Sequence, residues 1–471
     1  MTGIKLTTAA GTYTGQLDRD VLIFRGLRYA ADCSGARRFH RPAPPVPHSD
    51  VRDCLDFAPS CPQAKRIRGL TALRLLGIPA AEQRESEDCL GLNIWARLDA
   101  VAAPVLVWFH SGLSTGSGSW PWYDGAHFAR THGIVVVSFN SRLGPLGYLD
   151  TTELLGDQYS ANVGVLDCLA ALEWVAQNIA EVGGDPSRIT IGGSCAGAAR
   201  VHALLATRAG DGLFAQAIVQ SRQGPDVVDR DVAARNAAVV WPADRKSFER
   251  ASVRDIVDAA AGVGVRLGPV VDGELFGGSM FEHACAVPLL VGANRDEVVP
   301  PNQIAVNWTT ATERDVVELL QPLVGEEAVE IVHAEVVRTP HAHLRDVYQS
   351  LLGVYECIEP TRQVALRNVA HSAATFMYRL DWTTTLLGSR PRTPHGIDVP
   401  FALGNTRRCP IAARDPASET LSATMSEAWA SFIRSGRPGA AGLPEWPDYG
   451  KPGNPFLAIS SDPQLLTTEV L

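Results

Sequence analysis

The stretch ITIGGSCAGAARV, residues Ile189 to Val201, decides how this chain folds. It reads as a strand, a sharp turn of small residues, and the start of a helix. Such a turn can expose one reactive side chain, and the pattern for a nucleophile there is G-x-S-x-G. Two registers compete. Gly193-Ser194-Cys195-Ala196-Gly197 fits the frame with a cysteine at its centre. Gly192-Gly193-Ser194-Cys195-Ala196 keeps a central serine but closes on alanine.

Working outward, PVLVWFH (Pro104 to His110) and GIVVVSFN (Gly133 to Asn140) are apolar runs of strand length. Their continuous character predicts strands buried on both faces. The segment before the opening stretch, Gly164 to Pro186, predicts an amphipathic helix. Leu166, Leu169, Ala170, Leu172, Trp174 and Ile179 supply much of its apolar side, Gly183-Gly184 closes it, and Asp185-Pro186 forms a turn. LFAQAIVQS (Leu213 to Ser221) and VPLLVGAN (Val287 to Asn294) continue the strand series. Alternating strands and helices imply a mostly parallel sheet with helices on both faces. Breaks near Pro42 to Pro47, Pro300-Pro301 and Pro438 to Pro455 do not read as linkers, so residues 1–471 are expected to form a single domain.

Hydrophobic residues make up 46% and charged residues 20% of the 471, a globular composition. The net charge of −9 argues against nucleic acid and anionic membranes as partners. The N-terminal residues show no signal-peptide pattern, and no apolar run reaches the ~18 residues of a membrane span. A cytoplasmic location is the expectation. Nine cysteines at irregular spacing form neither a disulfide framework nor a zinc pattern, so most are expected to be free core thiols. No phosphate loop or metal-ligand spacing is present, and neither a cofactor nor a metal is expected.

The chain resembles the type B carboxylesterases, the family of the cholinesterases, over nearly its whole length. GTYTGQLDRDVLIFRGLRYA (Gly11 to Ala30) is similar to that family's N-terminal strand hairpin. SEDCLGLNIW, PVLVWFHSGLSTGS, NSRLGPLGYL, the run ANVGVLDCLAALEWVAQNIAEVGGDPSRITIGGSCAGA, GANRDEVV and HGIDVPFALGN match its further motifs in order. The resemblance implies an α/β-hydrolase fold: a twisted, mostly parallel central sheet flanked by helices, with N-terminal antiparallel strands.

It also implies roles. Counted from Asp185-Pro186, the family's nucleophilic serine falls on Cys195, and Ser194 takes the place of its glutamate. The acid falls on Glu297, with Asp296 beside it as the alternative, and the histidine on His395. Val298 replaces the glycine that follows the acid. The oxyanion loop, His110 to Ser117, is one residue short and poor in glycine, leaving Gly112, Leu113 and Ala196 as N–H donors. A thiol beside an imidazolium at a helix N-terminus favours the thiolate. Trp120 and Trp122 could wall an apolar acyl pocket or pack in the core. Arg222 could receive an anion if it faces the pocket, or lie at the surface. Cys61 and Cys89 match a disulfide of secreted members and are expected here as thiols.

The expected function is a cofactor-free acyl-transfer enzyme of the carboxylic-ester hydrolase class (EC 3.1). It would attack an ester, lactone or thioester through Cys195, His395 and Glu297, with hydrolysis as the default. The expected partner is a small-molecule acyl substrate, free or as a carrier-bound thioester. A non-hydrolytic cyclase or condensing enzyme of small-molecule biosynthesis, and a catalytically inactive binding homologue, are the alternatives.

Overall fold

The computed structural model describes residues 4–64, 77, 84–156, 158–242, 244–283, 286–297, 306–371, 373–386 and 391–468. Pro300-Pro301 and Val298 lie outside the described residues. Thirteen described strands form the sheet: β1 (Ile4–Thr8), β2 (Gly11–Asp18), β3 (Val21–Arg28), β4 (Val51–Asp53), β5 (Gly91–Arg97), β6 (Ala103–Phe109), β7 (Val135–Phe139), β8 (Gly184–Ser194), β9 (Gln216–Gln220), β10 (Leu289–Asn294), β11 (Thr375–Leu380), β12 (Phe456–Ile459) and β13 (Gln464–Leu466). Their order is β1-β2-β3-β5-β7-β6-β8-β9-β10-β11-β12-β13, with β4 beside β2. From β7 to β12 every pairing is parallel. The N-terminal strands pair antiparallel as a hairpin, Gln16 opposite Ile23.

The continuous apolar runs bury both faces. Val105, Val107 and Phe109 of β6 join one core cluster, and Leu106 and Trp108 join another. Alternate residues of a strand point to opposite faces, so a strand apolar throughout needs cover on each side. Leu169, Leu172, Val201 and Leu204, from the helices Val163–Asn178 and Ala196–Ala206, cover the first face. Phe128, Met425, Trp429 and Phe432, from the helices Ala126–His132 and Ala417–Ser435, cover the second. Each fully buried side chain of this size contributes roughly 1.5–3 kcal/mol over leaving it in water.

Two local expectations change. The helix Val163–Asn178 buries Val163, Val165, Cys168, Ala171 and Val175 as well as Leu169, Leu172 and Trp174, while Leu166 and Ala170 are only half-buried. It is enclosed on more sides than a surface helix, so its buried arc is wider than one apolar stripe. Asp185-Pro186 lies within β8 rather than ahead of it. Its turn character survives as an irregularity: Ala103 pairs with Gly184 and Val105 already with Ile189, while Asp185 Oδ1 accepts from the Ser187 N–H and hydroxyl. Gly183 ends the helical segment in the left-handed conformation, φ 79°.

The ends of β6, β8, β9 and β10 lie side by side. The chain leaves them at Phe109, Ser194, Gln220 and Asn294, and the residues just beyond build the site. In a parallel sheet these carboxyl ends form the crevice where ligands bind.

Candidate active site

Cys195 sits at the tip of the elbow between β8 and the helix Ala196–Ala206, with φ 58° and ψ −126°. Two glycines allow that bend. A Cβ on Gly193 would come within 2.6 Å of the Gly197 backbone, and one on Gly197 within 2.1 Å of the Phe109 carbonyl oxygen. No side chain fits either place, which sets the frame on Gly193 and Gly197 and its centre on Cys195. Ser194 is wholly buried, and among the described residues its hydroxyl has no hydrogen-bond partner and no base reaches it. Cys195 is partly exposed.

Ser221 and Glu297, at the ends of β9 and β10, also have positive φ, 49° and 48°. Non-glycine residues are costly there, and such strain gathers where surrounding structure imposes it at functional sites. The Glu297 carboxylate is buried and fully engaged. Oε1 accepts from the Ser221 hydroxyl at 2.5 Å, the Asn294 N–H at 2.6 Å and the Asn294 amide at 3.1 Å. Oε2 faces His395 Nδ1 at 2.5 Å. Asp296 is occupied elsewhere, by the Thr393 N–H and Arg295.

Beneath Glu297 lies a second buried carboxyl, Asp398, held by Tyr378 at 2.6 Å and Gln220 at 2.8 Å. Burial, and the charge of Glu297 after it, push its titration upward. His395 Nε2 is buried without a hydrogen-bond partner among the described residues. Burial opposes a charged ring, but the Cys195 and Cys357 sulfurs and Glu297 outweigh it and hold the imidazolium well above the usual histidine range.

The sulfur has another partner. The Cys195 thiol donates to Gln223 Oε1 at 3.1 Å, and Gln223 Nε2 donates to Glu356 Oε2 at 2.5 Å. Glu356 thereby fixes which end of the amide faces the thiol. Sequence reasoning missed Gln223, Glu356, Cys357, Ser221, Asn294 and Asp398. Glu356 and Cys357 lie on a π-helical turn, Val354–Ile358, a form that recurs at functional sites. Gly353 precedes it, where a Cβ would meet the Asp296 carbonyl at 2.5 Å.

The oxyanion loop is held from behind. Arg200, buried in the helix after the elbow, binds the carbonyls of His110 and Gly112. A trans peptide points its N–H opposite to its C=O, so the Leu113 N–H faces away from Arg200. The N–H groups of Gly112 and Leu113 donate to no group among the described residues. Ala196 opens its helix, so its N–H has no intrahelical acceptor. Gln63 clamps the far end of the loop through both polar atoms of its amide, to the N–H and carbonyl of Gly116.

Arg222 and the two tryptophans resolve differently from a pocket role, while Cys61 and Cys89 are the thiols expected. Arg222 is neither an anion receptor nor a surface residue: it is fully buried. Its guanidinium donates to the carbonyls of Gly224 and Pro225 and lies over the Phe281 ring, and burial lowers its pKa to about 10. Trp120 and Trp122 are buried in the second core cluster, Trp120 stacked on Tyr123. They pack the core rather than wall an acyl pocket, although Trp122 reaches Gly396 beside His395. Cys61 and Cys89 are buried free thiols.

The architecture is that of the α/β-hydrolases. A Geobacillus stearothermophilus carboxylesterase superposes with a TM-score of 0.86 at 31% identity, covering 98% of each chain. A solved para-nitrobenzyl esterase superposes equally well, 0.86 at 28% identity over 99% of this chain and 97% of its own. The carboxylesterase family model matches residues 3–470, and the chain belongs to that family. It is 29% identical to the para-nitrobenzyl esterase of Bacillus subtilis over 98% of this chain and 96% of the relative. It is also 29% identical to a phenmedipham hydrolase of Pseudarthrobacter oxydans, covering 97% and 94%. By this membership it is an ester hydrolase.

Proposed function

We propose that this hydrolase opens small-molecule esters through Cys195, with His395 as base, Glu297 as its orienting group, and the N–H groups of Gly112, Leu113 and Ala196 as the oxyanion hole. The observation that supports this reading most is the pairing at the ring. His395 Nδ1 is committed to Glu297 while Nε2 is buried and unpaired beside the strained Cys195 elbow. A base held at one nitrogen and free at the other is what a nucleophile requires.

In this reading the substrate displaces the thiol from Gln223. The proton passes from sulfur to Nε2, and sulfur bonds to the acyl carbon. The oxygen takes the negative charge against the loop N–H groups. His395 then returns the proton to the leaving alkoxide, leaving a thioester on Cys195. Water, deprotonated by the same ring, hydrolyses the thioester and restores the thiol. A thiolate leaves more readily than an alkoxide, so early collapse returns substrate unless the alkoxide is protonated promptly. Activated acyl groups, such as aryl esters and thioesters, therefore suit this site better than ethyl esters.

Limiting iodoacetamide followed by peptide mapping tests the assignment. Cys195 is expected to label first among the nine cysteines, and His395→Ala is expected to slow that labelling at neutral pH. Earlier labelling of another cysteine, with Cys195 intact, overturns it.

A further inference from the structure

The turn Val354–Ile358 brings a second thiol to the imidazole. Cys357 Sγ lies 3.7 Å from His395 Nδ1, the nitrogen that also faces Glu297 Oε2 at 2.5 Å. One ligand atom from each of Glu297, Cys357 and His395 lies within 4.8 Å of the other two. Cys357 and Glu297 are buried, and the His395 side chain retains 13% exposure. The three residues come from separate segments, so no spacing in the chain announces them.

We propose that Glu297, Cys357 and His395 form a coordination site for a borderline-soft divalent cation of the zinc class, whose binding switches off ester hydrolysis. Thiolate, imidazole and carboxylate are zinc's donors, and a thiolate selects against magnesium and calcium. Bonds of about 2.0–2.1 Å to nitrogen and 2.3 Å to sulfur place the two donors roughly 3.5 Å apart in a tetrahedral site, close to the 3.7 Å observed. The carboxylate edge is tighter. Glu297 must open from the ring by roughly 1 Å to reach a tetrahedral spacing, exchanging one hydrogen bond for a coordinate bond. Water or an anion takes the fourth position.

The proton balance explains the inhibition. As a base, the ring carries its proton on Nδ1 and its lone pair on Nε2. A cation on Nδ1 takes a lone pair there, so that proton relocates to Nε2. The Cys357 thiol loses its proton to solvent, and no electron changes hands. Nε2 then bears hydrogen and accepts nothing from Cys195. The rate falls because the tautomer is wrong, with the substrate's place left open.

The test uses metal-stripped wild type, Cys357→Ala, Cys357→Ser and Cys195→Ala. Zn²⁺ binding is read by equilibrium dialysis. Hydrolysis of an aryl ester is read against free Zn²⁺, each protein normalised to its own metal-free rate, and Co²⁺ serves as the spectroscopic probe. Wild type is expected to bind one more Zn²⁺ than either Cys357 variant and to recover its rate on chelation. It is also expected to show near-ultraviolet sulfur-to-cobalt absorption. Half-inhibition of the Cys357 variants is expected to need at least about tenfold more Zn²⁺, since a donor itself is lost rather than a partner of one. Cys195→Ala is expected to keep the binding, which assigns the thiolate to Cys357. Equal binding in wild type and the Cys357 variants overturns the proposal, as does a wild-type Co²⁺ spectrum without thiolate absorption or loss of binding in Cys195→Ala. The spectrum needs no variant, so it decides even if a substitution unfolds the chain. Inhibition rests on His395 as the base; dialysis does not, so the two readings fail separately.

Discussion

Two walls face each other across Cys195 and are built by different means. The elbow wall is backbone: Gly193 against Gly197, Gly197 against Phe109, and a loop whose carbonyls are drawn back by Arg200. The opposite wall is side chain: Gln223 turned by Glu356, and His395 touched by Glu297 and Cys357. The bend itself is local, Gly193 against Gly197, while the loop behind it is reached across 88 and 90 positions, Arg200 to Gly112 and His110. Gln223 meets Glu356 across 133 positions, and Glu297 meets His395 across 98. A wall made by local sterics leaves a motif in the sequence; one made by long-range packing leaves only ordinary polar residues.

The largest expected effect separates the elbow's two candidates. Cys195→Ala should lower kcat/KM for an aryl ester by roughly ten-thousandfold or more, as loss of a nucleophile does. Ser194→Ala, which removes a hydroxyl without partners, should change it little. A large loss in Ser194→Ala with little change in Cys195→Ala would return the register to Ser194.

Next, a side chain can be forced into each wall. Gly197→Val should destabilise the fold by about 1–3 kcal/mol or more, since its Cβ meets immovable backbone. Gly353→Val, aimed at the Asp296 carbonyl, should cost a similar amount but also displace the π-turn, and with it Gln223. Thermal melts and Cys195 alkylation rates read the two effects. If Gly353→Val leaves alkylation unchanged, the π-turn does not position the thiol's partner.

The walls should also respond oppositely to pH. Burial, helped by Arg200, lowers the His110 pKa to about 3, and burial with Arg222 holds His202 well below the ordinary value. Between pH 6.5 and 3 the unfolded chain binds a proton that folded His110 refuses, and His202 acts in the same direction, so acidification destabilises. The slope is at most about 1.4 kcal/mol per pH unit for each histidine. His395 has the opposite sign: its folded value is raised, so its contribution is complete below about 6.5 and disappears as pH rises through the folded value. The fall in urea midpoint from pH 7 to 5 should be shallower in His110→Gln than in wild type. Identical slopes would remove His110 from the account.

The smallest effect concerns the amide. Glu356→Gln frees Gln223 to turn its NH₂ toward sulfur, which favours the thiolate. Alkylation of Cys195 near neutral pH should quicken a few-fold. A slower rate would mean that Glu356 does not hold Gln223 against the thiol.

What the sequence determined is what depends on neighbours in the chain. Continuous apolar runs such as Pro104 to His110 imply strands covered on both faces, because alternate side chains must both leave water. The small-residue run Gly192 to Gly197 marks the elbow, though its register comes from the count from Asp185-Pro186 and the Cβ contacts of Gly193 and Gly197 from the structure. The resemblance extended this to Glu297 and His395, each recognisable by its flanking motif. The tertiary structure alone decided the rest. Arg222 reads as a surface or pocket cation, yet the fold buries it against two carbonyls and the Phe281 ring. Trp120 and Trp122 read equally as pocket wall or core, and only the packed second face chose the core. Gln223, Glu356 and Cys357 carry no local signature, because their roles arise where β9, β10 and a distant helical turn meet. Backbone sterics act within a few residues and are written there; the pairing of buried polar groups is settled only when remote segments exclude water together.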